Sequence, residues 1–116
     1  MTKKRWTLEF SDEDWLVVEL NVVRGKVKGF VLNYVAHVGD RIREVVRYDT
    51  DHGHLHLHRF WMDERRQTLD LEDRERPSDD YGGVFSTAAA DLRANWSQYR
   101  GRLKERLHDQ GGKHET

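Results

Sequence analysis

Cysteine is absent from the 116-residue chain. Disulfides and thiolate chemistry are therefore excluded, and a reducing, cytoplasmic setting is the expectation. Long apolar runs are lacking too. No stretch approaches the ~20 residues a spanning helix needs, and the mean hydropathy of -0.93 points away from a membrane. The basic start Met-Thr-Lys-Lys-Arg is followed by charged and polar residues from Glu9 to Asp14. With no apolar segment behind it, that start is not read as a secretory signal. Net charge is nearly absent as well, at -1. Nothing attracts a polyanion globally, so a nucleic-acid site has to be a local patch.

What the chain has in quantity is charge of both signs, 35% of residues against ~25% in an average soluble protein. Apolar residues supply 36%, enough for one modest core, and a single domain over residues 1–116 is expected. The charge is uneven: residues 63–80 hold eight acids and four arginines, and Arg93–Arg106 holds five bases against Glu105 alone. The first stretch reads as a solvated, mobile loop. The second reads as a helix end whose bases suit the macrodipole, or as a phosphate-contacting patch.

Period-two alternation dominates the first sixty residues. Trp6, Leu8 and Phe10 share parity, as do Leu16, Val18, Leu20 and Val22, then Phe30 to Val38, then Ile42, Val46 and Tyr48. Such runs are strands with one buried face, and short turn signals between them give an antiparallel meander. A three-residue loop Gly39-Asp40-Arg41 would set Tyr34 opposite Val46 and Leu32 opposite Tyr48, keeping apolar residues together. A fifth strand runs from His54 to Trp61. After a loop over 62–83, holding the one proline, Pro77, the period becomes helical. Phe85, Ala88, Leu92, Trp96, Tyr99, Leu103 and Leu107 form one stripe over about 84–109. Ser86 is the candidate N-cap, and Gly111-Gly112 the stop. The tryptophans read as core or core rim. The fold expected is α+β: about five strands over residues 4–61 in one sheet, with an amphipathic C-terminal helix on one face.

Chemistry concentrates in Tyr48-Asp49-Thr50-Asp51-His52-Gly53-His54-Leu55-His56-Leu57-His58. Residues two apart on a strand share a face, so His54, His56 and His58 point together onto the open face while Leu55 and Leu57 enter the core. Pairing Leu55 with Tyr48 sets His54 beside Asp49 and His56 beside Arg47. Gly53 suits a tight turn with positive φ, and His52 lies on that turn. Imidazoles near neutrality can exchange protons at pH 7, and an arginine beside them can offset developing phosphorane charge. That set suits RNA cleavage without a metal, with His52, His56, His58, Arg47 and Asp49 as catalytic candidates. The same pattern is also a geometry for a divalent metal with a carboxylate from Asp49, Asp51 or Glu19. In the expected register only His54, His56 and Asp49 come near one ion, with Arg47 repelling it. No tightly held metal and no cofactor are expected.

The segment Arg47-Tyr48-Asp49-Thr50-Asp51-His52-Gly53 with His56-Leu57-His58 resembles the Tyr-Asp-x-x-His-Gly-x-x-His-x-His signature of small prokaryotic proteins of unknown function. It is similar to the motif of TumE-family toxins from toxin–antitoxin operons. The resemblance implies a small antiparallel sheet with histidines on its last strands, a helical C-terminal part, and site residues Asp49, His52, Gly53, His56 and His58. It implies a toxin-like ribonuclease with an RNA substrate and an antitoxin partner. Two features depart from the signature: an acid at Asp51 and the additional His54. The alternative is a non-catalytic interaction module. Val17, Val31, Val35 and Val45 fall by parity on the open face, which points to a homodimer or a partner protein covering it.

Overall fold

The computed structural model describes residues 1–114. Its elements are β1 (Thr2–Ser11), β2 (Asp14–Val23), β3 (Lys26–Val38), β4 (Arg41–Asp49), a short 3-10 turn (Asp51–Gly53), β5 (His56–Arg59), β6 (Thr68–Asp70) and α1 (Gly82–His114). The strands form one antiparallel sheet in chain order from β1 to β6. This is the α+β meander the alternation predicts, with one strand more.

The extra strand, β6, lies in the segment read as a solvated, mobile loop. Thr68-Leu69-Asp70 adds to the edge of β5, placing Asp70 opposite His56 and Thr68 opposite His58. The acids that follow are anchors. Lys26 and Lys28 both bridge Asp79. Glu72 accepts the Leu55 N–H at 2.7 Å, and the Tyr81 N–H donates to the Val27 carbonyl at 2.8 Å.

Between β2 and β3, Arg24 and Gly25 both adopt positive φ, 52° and 78°, the turn geometry that matches strand twist. Between β3 and β4 the loop is two residues, with Val38 facing Arg41, where three were expected. Tyr34 still meets Val46 and Leu32 still meets Tyr48, because the register shifts at Val45. This bulge places one extra residue in β4. Before it, the faces of β4 are exchanged. Arg43 sits opposite Ala36 and Glu44 opposite Val35, Ile42 is 60% exposed, and Val45 is fully buried rather than open-faced. Arg43 is tolerated there because it lies at the sheet's end, where its Nε donates to the Val38 carbonyl at 3.1 Å.

The core forms on the even face, where Leu16, Val18, Phe30, Leu32, Tyr34 and Val46 meet Ala88, Leu92 and Leu103 of α1. The helix lies over β3 and β4. Its Trp96 stacks on Phe10 near the end of β1, 5.7 Å between ring centroids, while Trp6 stays exposed at the rim. Asp80, not Ser86, caps the helix: its Oδ1 accepts the Gly82 N–H at 2.9 Å, while Ser86 bonds back to the Gly82 carbonyl. The helix also runs through Gly111-Gly112 to His114, past the expected stop near Asp109.

Arg100 is neither a solvated helix-end base nor part of a phosphate patch. Its Nη1 donates to the buried Asp14 Oδ2, and its Nη2 to Glu13 Oε2 and the His37 carbonyl, each at 3.0 Å. Tyr34 donates to the other Asp14 oxygen at 2.5 Å. Burial, with the Asp14 carboxylate adding, pushes the Tyr34 phenol far up. Helix and sheet are thus joined by charge as well as by packing.

Candidate functional site

Among the described residues, no element packs on the other face of the sheet. Strand pairing aligns its residues in rows. One row reads Arg5, Glu19, Val31, Asp49, His56, Asp70, and the next Thr7, Val17, Asn33, Arg47, His58, Thr68. The expected register of β5 is therefore wrong by two residues. His56, not His54, faces Asp49, and His58, not His56, faces Arg47. Residues 50–55 are consumed in leaving β4 and turning, so the strand begins at His56. An even slip preserves parity, which is why the histidines keep the predicted face.

Asp49 is the centre of the cluster and is 1% exposed. Arg47 Nε donates to its Oδ2 at 2.9 Å. His56 Nε2 lies 2.5 Å from its Oδ1, and His58 Nε2 lies 3.2 Å from its Oδ2. The Asp51 N–H donates to Oδ1 at 3.3 Å. A carboxylate buried without partners is costly, and here one guanidinium, two imidazoles and a backbone amide surround it.

The outer nitrogens of both rings are held. His56 Nδ1 sits 3.1 Å from the His54 carbonyl, which only accepts, so Nδ1 carries a proton. His58 Nδ1 sits 3.1 Å from Thr68 Oγ1. Both rings thus turn Nε2 inward, and His58 Nε2 is buried with no hydrogen-bond partner among the described residues. Burial and then the Arg47 charge lower the His58 pKa, with Asp49 opposing. Arg47 is itself fixed, donating to Glu44 Oε1 at 2.6 Å and lying over the Phe60 ring at 5.6 Å.

His52 is placed differently. It and Gly53 take the left-handed φ values 68° and 87° as the chain turns, the conformation foreseen for Gly53. The His52 ring is nearly parallel to that of His56, 6.5 Å away, and the residue is exposed. His54 lies before β5 and binds Asp70 Oδ1 through Nε2 at 2.9 Å. That bond is the main cause of the lowered Asp70 pKa. His37 stands apart, opposite Ile42 near the β3–β4 turn.

A cleft of about 520 Å³ opens beside the cluster, lined by Lys3, Arg5, Asn21, Lys28, Gly29 and Asp51 among others. Its floor needs glycine at position 29, where a Cβ would stand 2.9 Å from Thr50 Oγ1. That oxygen accepts the Phe30 N–H at 2.9 Å. Thr50 and Asp51 join the cleft directly to Asp49.

Of the predicted site residues, the structure brings Arg47, Asp49, His56 and His58 together and leaves His52 on the solvent side. Thr68, Glu44 and Phe60 were missed. Thr68 fell in the supposed loop, although the alternation of Thr68 and Asp70 around Leu69 was a faint strand signal. Glu44 reaches this face only through the bulge. The expectation of no metal rested on His54 beside Asp49. With His56 there, donor atoms of Asp49, His56 and His58 all lie within 4.8 Å of one another.

The chain is thus a small α+β domain with a histidine–carboxylate cluster on an uncovered sheet face. Residues 1–109 match the family described as a domain of unknown function, DUF7718, and the chain belongs to it. No curated protein and no solved structure matches the chain. Nothing in these comparisons links it to the TumE toxins. No helix among the described residues is long and apolar enough to cross a membrane.

Proposed function

We propose that the protein is a toxin-like ribonuclease acting on its uncovered sheet face. The observation that supports this most is the convergence of Arg47, Asp49, His56 and His58 at the end of a cleft edged by Lys3, Arg5 and Lys28. The lining carries Lys3, Lys4, Arg5 and Lys28 against Glu19 and Asp51, an excess of bases that favours a phosphodiester chain. In this reading Arg47 offsets charge developing on the phosphorus. His52, whose ring is not turned into the cluster, takes the 2′-hydroxyl proton as that oxygen bonds to phosphorus. The 5′-oxygen leaves and takes a proton from water. His56 and His58, expected with His52 as catalytic imidazoles, instead shape the centre, because both aim Nε2 at Asp49.

The test uses tag-free protein and an RNA oligonucleotide beside its 2′-deoxy counterpart. RNA alone is cut, and His52→Ala slows cutting by about 100-fold or more, the usual weight of a proton-transfer group. Uncut RNA, or equal cutting of the deoxy strand, refutes the proposal. The second reading, an interaction module, draws on Val17, Val31 and Val35, half-buried on a face that no element covers. A stable partner that co-purifies, together with inert behaviour towards RNA, distinguishes it.

A further inference from the structure

We propose that Asp49, His56 and His58 form a binding site for one divalent transition-metal cation of the zinc class. The proposal goes beyond the ribonuclease reading and stands whether or not RNA is the substrate.

Three observations carry it. First, the donor set converges: one atom each from Asp49, His56 and His58 lie within 4.8 Å of one another. An ion at ~2.0–2.1 Å from each ligand sets donors about 3.3 Å apart in tetrahedral geometry. With Oδ1 as the carboxylate ligand, the 2.5 Å between His56 Nε2 and Oδ1 has to open slightly, and His58 Nε2, 3.2 Å from the other oxygen of the same carboxylate, has to move only a short way. Secondly, the rings are arranged as ligands are. A metal-binding imidazole holds its other nitrogen on a carbonyl or similar group, which fixes tautomer and orientation. The His54 carbonyl does this for His56, and Thr68 for His58. Thirdly, His58 Nε2 is buried, faces Asp49 and has no hydrogen-bond partner among the described residues. A cation bound to that lone pair supplies what the protein does not.

Arg47 is the objection, and its surroundings answer it. Its charge is matched by Glu44 at 2.6 Å and spread over Phe60. Its Nε takes Asp49 Oδ2, leaving Oδ1 turned towards His56. With the rings neutral, Arg47, Glu44 and Asp49 together carry one net negative charge. Two imidazoles and a carboxylate select zinc, cobalt or nickel over magnesium, which prefers all-oxygen sites. Three protein ligands leave the fourth tetrahedral position to a water.

The experiment titrates tag-free, chelator-treated full-length chain with Zn²⁺ against a chromophoric chelator. One equivalent binds with sub-micromolar affinity. His56→Ala and His58→Ala each weaken it more than about 100-fold, and Thr68→Val, which only releases the His58 ring, weakens it about 10- to 100-fold. If a ligand variant does not fold, Co²⁺ added to the wild type decides: its paramagnetism shifts the ring protons of His56 and His58 before those of His37 or His108. Wild-type binding no tighter than that of whichever of His56→Ala and His58→Ala folds overturns the proposal, as does a first Co²⁺ shift elsewhere. The two proposals fail separately. Chelator-resistant RNA cleavage without zinc binding removes the metal site and leaves the ribonuclease. Zinc binding by a chain inert to RNA does the reverse.

Discussion

Replacing Arg100 with leucine tests the joint between helix and sheet. Arg100 is 19% exposed at its side chain, Asp14 is wholly buried, and their contact is 3.0 Å. Removing one partner of a buried pair costs ~3–5 kcal/mol, because the remaining charge stays buried. Two features pull the cost to the low end. Arg100 keeps some contact with water, and Asp14 retains the Tyr34 and Ser11 hydroxyls. The bond to Glu13 adds little, since Glu13 is half exposed and such pairs contribute ~0–1 kcal/mol. The expected loss is about 3 kcal/mol, equivalent to a Tm drop of roughly 10–20 °C in a domain this size. Urea unfolding followed by tryptophan fluorescence measures it. Arg102→Leu, one turn-face away, loses only cation–π contacts with Trp61 and Tyr99, about 1 kcal/mol. In an Asp14→Leu background, which itself costs stability by orphaning the buried Tyr34 hydroxyl, Arg100→Leu costs far less than it does alone, since no buried charge is left behind. A single Arg100→Leu variant within about 0.5 kcal/mol of wild type, or one equally costly in the Asp14→Leu background, refutes the reasoning.

Three further outcomes are expected. Ile42→Thr, at an exposed position, costs less than about 0.5 kcal/mol, whereas Val45→Thr, fully buried at the bulge, costs more than ~1 kcal/mol; chemical denaturation of both variants checks the order. Bonds from Lys26 and then Lys28 hold the Asp79 carboxyl down at about 2. A depressed carboxyl stabilises above its unfolded value near ~4 and ceases to as pH falls through its folded value. Hydrogen exchange at the Tyr81 amide therefore gains an acid-dependent component between about pH 4 and 2 that Asp79→Asn removes. Gly29→Ala drives a Cβ to 2.9 Å from Thr50 Oγ1 and costs about 1–3 kcal/mol through the lost bond to Phe30. That cost disappears in a Thr50→Ala background, as a double-mutant cycle will report.

Much of this was legible in the chain. Parity assigned Leu16, Val18, Leu32, Tyr34 and Val46 to the core and His56 and His58 to the open face, because side-chain alternation survives any even slip of register. The stripe from Ala88 to Leu103 gave the helix and its buried side. Position along the strand was not legible. Parity does not say how many residues the turn after Asp49 consumes, so His54 was set where His56 stands. The bulge at Val45 escaped because two errors cancel: a shorter loop and one extra residue restore the same Tyr34–Val46 pair. Strand β6 has three residues, too few for periodicity to register. Arg100 and Asp14 are 86 residues apart, and no local pattern links them. The meeting of Asp49, His56, His58 and Arg47 was foreseen as a set but not as an arrangement. That the rings face inward depends on the His54 carbonyl and on Thr68, which only the fold brings to them.

The most direct measurement is anomalous diffraction at the zinc absorption edge from crystals of the tag-free chain grown with one equivalent of Zn²⁺. A single strong peak about 2 Å from Asp49 Oδ1, His56 Nε2 and His58 Nε2, with the His54 and Thr68 anchors intact, is the predicted result. Peaks only at His52, His37 or the chain's end, with His56 Nε2 still bonded directly to Asp49, would contradict it.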